Sequence, residues 1–251
     1  VCMVAKYTLE KLTRIPVEVC LASEFRYSDP IVEDGTLAIV ISQSGETLDT
    51  MAAMREIKSL GARVLSIVNV VGSTIAREAD DVIYTWAGPE IAVATTKAYS
   101  TQLAVVSQLA IYMADQRGTI TPEYYAALVA ELEHLPDKAA RVLEDQSEIQ
   151  HFAARFFNHN SIFFIGRNLD YATGMEGSLK LKEISYIHSE AYASGELKHG
   201  TISLIEPGTL VIALGTYAPL FDKAMSNVVE VKSRGASVLA LTTESGKAQM
   251  A

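Results

Sequence analysis

The chain repeats itself. Lys58-Ser59-Leu60-Gly61-Ala62-Arg63-Val64-Leu65 returns as Lys232-Ser233-Arg234-Gly235-Ala236-Ser237-Val238-Leu239, 174 positions later, and Gly35-Thr36-Leu37 returns as Gly208-Thr209-Leu210, 173 positions later. Both copies place a strand, a loop and a helix in the same order between these points, so the economical reading is two copies of one α/β unit. Short Val/Ile-rich runs stand at 17–21, 37–41, 64–69 and 82–86 in the first copy, and at 162–165, 210–214 and 238–242 in the second. They are apolar on both faces, and most are separated by helical patterns (1–13, 48–60, 96–116, 122–157, 174–188). That combination predicts parallel sheets covered by helices on both sides. Pro136 breaks the long helical stretch and makes it the connector. The division is then 1–135 and 136–251. The first copy lacks the opening strand that the second has, and the second stops after 238–242. The sequence is therefore expected to be a piece of a longer protein cut at both ends, with an exposed sheet edge prone to association.

Composition excludes several functions. A net charge of −9 argues against nucleic acid and anionic membrane surfaces as partners. Any bound phosphate must be held by local N–H and O–H donors. Cys2 and Cys20 make neither a metal site nor a disulfide framework, so a reducing, cytoplasmic setting is expected. No apolar run approaches the roughly 18 residues that span a bilayer. Lys6, Glu10, Lys11 and Arg14 interrupt the apolar positions at the start, so no signal peptide is expected there.

Ser42-Gln43-Ser44-Gly45-Glu46-Thr47 lies directly between the 37–41 run and the 48–60 helix. A helix N-terminus carries unpaired N–H groups and a partial positive charge. Three hydroxyls and a glycine there suit a single phosphate ester, and the absence of a following Lys excludes an ATP-type loop. The same residues also suit an ordinary N-cap cluster, and on their own they leave both readings open. Val93-Ala94-Thr95-Thr96-Lys97 is a second donor group before a long helix, again with a plain cap as the alternative. Glu176, Lys180 and Glu183 share one helical face. That face is either a surface ion-pair row or, if it fronts a cleft, a general base (Glu183) with a cationic neighbour (Lys180). The 193–200 segment reads as an irregular loop whose His199 is either a proton carrier or a solvated residue. His188, at the expected helix end, is assigned to the last carbonyls of that helix.

Together the 42–47, 93–97, 179–188 and 195–200 segments resemble the glutamine–fructose-6-phosphate aminotransferase (isomerising) family, in its sugar-isomerising half with two SIS-type domains. The resemblance covers essentially the whole chain. It implies two doubly wound parallel-sheet sandwiches, flavodoxin-like or Rossmann-like, the second incomplete. It implies that Ser42, Gln43, Ser44 and Thr47 bind the sugar phosphate and that Val93 and Thr95 contact the sugar. Glu183 is implied as the base that moves a proton between C1 and C2, with Lys180 beside it. His199 is implied in ring opening, reaching the site from the partner subunit of a homodimer. Fructose 6-phosphate and glucosamine 6-phosphate are the implied ligands in hexosamine biosynthesis, with no metal or organic cofactor. A glutaminase domain is expected on the intact chain. Departures are Thr95, where the family usually has Ser, Cys2, where Gly is common, and Thr201, where Pro is common. The family's Cys-Gly-Thr loop, its C-terminal lysine and the glutaminase cysteine have no counterpart, so this chain alone is expected not to use glutamine. A non-catalytic sugar-phosphate sensor is the alternative; it requires neither Glu183 nor His199.

Overall fold

The structure, a computed structural model, describes residues 1–249 and the backbone of Met250. It divides into two compact units, Val1–Glu133 and His134 onward. The first runs α1 (Cys2–Thr13), α2 (Ala22–Phe25), β1 (Leu37–Ser42), α3 (Leu48–Ser59), β2 (Arg63–Val68), α4 (Thr74–Glu78), β3 (Asp81–Tyr84), α5 (Lys97–Gln116) and α6 (Pro122–Glu133). The three strands pair in that order, all parallel. β2 is central and buried on both sides, which is why it reads as a continuous apolar run. Val64 and Val68 pack with Met51, Met54 and Ile75 on one face. Ile67 packs with Leu9, Leu12, Val106 and Ala110 on the other.

The second unit runs α7 (Leu135–Glu144), α8 (Ser147–Phe156), β4 (Ser161–Gly166), α9 (Leu169–Ser185), β5 (His188–Ala193), β6 (Leu210–Gly215), α10 (Phe221–Ser233), β7 (Ser237–Thr242) and α11 (Glu244–Met250), with 3₁₀ turns at Leu197–His199, Thr201–Leu204 and Ala218–Leu220. Its parallel sheet has the order β5-β4-β6-β7. Successive residues of β4 point to opposite faces. Phe163 and Ile165 join Val211, Val228 and Val231, whereas Ile162 and Phe164 join Phe156, Leu210 and Leu214. Both units are thus parallel α/β layers, the class the sequence predicts.

The repeat is real in three dimensions. β1 meets β2 with Leu37 opposite Arg63 and Ser42 opposite Val68; β6 meets β7 with Leu210 opposite Ser237 and Gly215 opposite Thr242. Three local expectations are corrected. Residues 17–21 form no strand: the Val17 N–H donates to Glu10 Oε1 at 3.0 Å and its carbonyl accepts from Lys6 Nζ, so α1 side chains take the backbone groups a ladder would need. α9 begins five residues before Gly174 and ends at Ser185, closed by Tyr186 in the left-handed region at φ 60°. His188 therefore opens β5, with Nδ1 3.3 Å from Ser161 Oγ, and does not cap a helix. Pro136 sits in the first turn of α7, where its missing N–H costs nothing.

Candidate functional site

In the first unit the 42–47 loop leaves the carboxyl end of β1. Ser42, 8% exposed, accepts a hydrogen bond on Oγ from the Gly45 N–H at 3.0 Å and lies 3.2 Å from Thr47 Oγ1. Ser44 Oγ accepts from the Glu46 N–H at 3.2 Å. Thr47 occupies the N-cap position of α3 yet makes no capping hydrogen bond. The hydroxyls therefore shape the loop, and the first turn of α3 has no side-chain cap.

Residues that the sequence did not single out hold this loop from behind. Gly45 O accepts from the Ile75 N–H at 3.0 Å, Glu46 Oε1 accepts from the Thr74 N–H at 2.7 Å, and Gln43 O accepts from the Asn69 N–H at 3.2 Å. The bond from the Thr74 N–H, helped by the Arg77 charge, holds the Glu46 carboxyl below the usual carboxylate range. Ser73 is 3% exposed, and its Oγ has no hydrogen-bond partner among the described residues. Asn69 also organises the next loop: its Oδ1 accepts from Thr85 Oγ1 at 3.0 Å and from the Ala87 N–H at 2.8 Å. Val93 and Thr95 lie in the 85–96 segment, beyond the carboxyl end of β3. Val93 is 90% exposed, and the Thr95 N–H donates to Val93 O at 3.0 Å. Among the described residues no hydrogen bond joins them to the 42–47 loop.

In the second unit α9 carries a row of three charges. Lys180 Nζ is 2.5 Å from Glu183 Oε2 and 3.5 Å from Glu176 Oε1, with the three side chains between 20% and 28% exposed. Burial alone would push the Lys180 pKa down. The hydrogen bond to Glu183 and the charges of both carboxylates outweigh it and hold the ammonium above the ordinary lysine value. A carboxylate backed by a lasting cation suits proton transfer beside a carbonyl. His199 ends the Leu197–His199 turn, exposed, with its N–H donated to Glu196 O at 3.0 Å. It makes no hydrogen bond or ion pair with Lys180 or Glu183 among the described residues. No group of three or more His, Cys, Asp or Glu side chains among the described residues is placed to hold a metal ion. No helix among them is long and apolar enough to cross a membrane.

A family model described as SIS domain matches residues 1–112 and 155–249. The chain is 58% identical over 245 residues to the glutamine–fructose-6-phosphate aminotransferase [isomerizing] of Clostridium acetobutylicum, and 58% over 245 residues to that of Clostridium tetani. Each alignment covers 98% of this chain and 40% of the relative, so the chain spans about two-fifths of the length of the curated relatives it matches. Among solved structures, the C-terminal domain of glucosamine-fructose-6-phosphate aminotransferase from Francisella tularensis superposes with a TM-score of 0.95 at 39% identity, covering 99% of this chain and 70% of that one. With the repeat, the parallel sheets and the loop after β1 all in place, the chain belongs to the SIS-domain family and, within it, groups with the C-terminal part of the isomerising glutamine–fructose-6-phosphate aminotransferases.

Proposed function

We propose that this chain is the fructose-6-phosphate-binding, isomerising half of a glutamine–fructose-6-phosphate aminotransferase, built from two SIS-type domains, 1–135 and 136–251. The Ser42, Gln43, Ser44 and Thr47 loop grips the phosphate through neutral donors, and Val93 and Thr95 border the sugar. Binding energy at the phosphate holds the reacting carbons in place for the proton transfer. Glu183 takes the proton alpha to the C2 carbonyl or imine and returns it one carbon over, and Lys180 keeps that carboxylate oriented. His199 of a second copy assists ring opening in a homodimer. The intact protein works in the cytoplasm, where a glutaminase domain on the same chain supplies ammonia.

The observation that carries this reading is the Lys180–Glu183 contact on a half-buried face of α9. A sugar-phosphate sensor needs the anion loop but no positioned carboxylate. The test is Glu183→Gln in the full-length enzyme. Glucosamine 6-phosphate formation should fall at least about 10³-fold, the scale of a lost general base, with fructose 6-phosphate affinity changed little. Turnover within tenfold of wild type would refute the reading.

A further inference from the structure

The second unit holds its own copy of the anion loop. Since β1 and β6 share one register within the repeat, the 42–47 loop corresponds to residues 215–220. Three donors of this second loop are taken by one carboxylate. The Thr216 and Tyr217 N–H groups donate to Asp170 Oδ2 at 2.9 and 3.0 Å, and Thr216 Oγ1 donates to Asp170 Oδ1. Asp170 is 5% exposed and comes from the first turn of α9.

The place matters as much as the bonds. β4 has β5 on one side and β6 on the other, so the chain order reverses between β4 and β6. The crevice beyond the carboxyl ends of such a pair is the usual ligand position in open parallel sheets. Here the first turn of α9 closes it. Gly166 allows that approach: a Cβ at this position would lie 2.6 Å from the Asp170 carbonyl carbon and 2.7 Å from its oxygen.

We propose that Asp170 is a built-in anion filling the second unit's copy of the loop, and that removing its carboxylate opens a latent site for a small oxyanion. On this account the second unit takes no sugar phosphate at its switch point, whatever the first unit binds. The test uses the full-length protein, with acetate as a stand-in for the lost carboxylate and sodium chloride at matched ionic strength as the control. Asp170→Ala should lower the thermal midpoint by about 4 °C or more, since charge-assisted hydrogen bonds to buried groups are lost. About 100 mM acetate should then restore at least a third of that loss, while moving the wild type no more than chloride does. If acetate leaves Asp170→Ala where chloride leaves it, or raises the wild type equally, the proposal is overturned. Asp170→Asn keeps the shape without the charge and covers the case in which the alanine variant does not fold. It should melt below wild type and ignore acetate, its site being filled; a wild-type midpoint would overturn the anionic role.

Discussion

Gly45 has less latitude than any hydroxyl around it. Its φ of +67° lies where a side chain is strained, and a Cβ there would stand 2.1 Å from Ser73 Oγ and 2.5 Å from Ser73 Cβ. Both penalties act on the backbone that positions the Ser42 and Ser44 hydroxyls, which accept from the Gly45 and Glu46 N–H groups. Gly45→Ala should therefore cost about 2–4 kcal/mol of stability, combining left-handed strain with overpacking, and weaken phosphate-ester affinity at least tenfold. Denaturant unfolding and calorimetric titration with fructose 6-phosphate read the two effects separately. Adding Ser73→Gly should remove the clash and leave the φ penalty, recovering about half of the lost stability. A single variant with wild-type affinity would mean that the loop geometry does not govern the anion site.

At the scale of elements, the loop is set by α4 as much as by α3. Glu46 bonds the first N–H of α4, and Ile75 bonds the carbonyl of Gly45, so the two elements fix the loop between them. The folded pKa of Glu46 lies below its unfolded value. Its contribution is therefore complete above the ordinary carboxylate pKa of about 4.3 and is lost as pH falls through the lower, folded value. Glu46→Gln should weaken sugar-phosphate binding a few-fold at neutral pH, and its deficit should close as wild-type Glu46 protonates; a deficit that persists once the wild-type carboxyl is protonated would contradict this. The contrast between legible and illegible parts follows from sequence distance. The hydroxyl loop and the Lys180–Glu183 pair are visible because their members lie within six residues. Glu46 meets Thr74 at a separation of 28, and Asp170 meets Thr216 at 46, where no pattern marks a partner. β5 escaped because His188-Ser189-Glu190-Ala191-Tyr192-Ala193 is an edge strand with mostly polar positions, while 17–21 looked like a strand whose backbone is in fact bonded by α1 side chains.

Considered as a whole, the proposed function puts a dianion on a chain of net charge −9. No Lys or Arg stands in the 42–47 loop, so its attraction comes from dipoles and hydroxyls that act over a few ångströms, while the net charge repels at longer range. Salt screens the second effect and scarcely touches the first, because the Debye length at physiological ionic strength, about 8 Å, exceeds the reach of a hydrogen bond. Affinity of this chain for a sugar phosphate should therefore change less than about threefold between roughly 50 and 500 mM salt, with any drift toward tighter binding as the repulsion is screened. Titration calorimetry at a series of chloride concentrations measures the slope. A tenfold fall would require a cationic ligand to the phosphate. The anchoring would then belong to a charged group elsewhere, and the hydroxyl loop after β1 would lose its place as the primary contact.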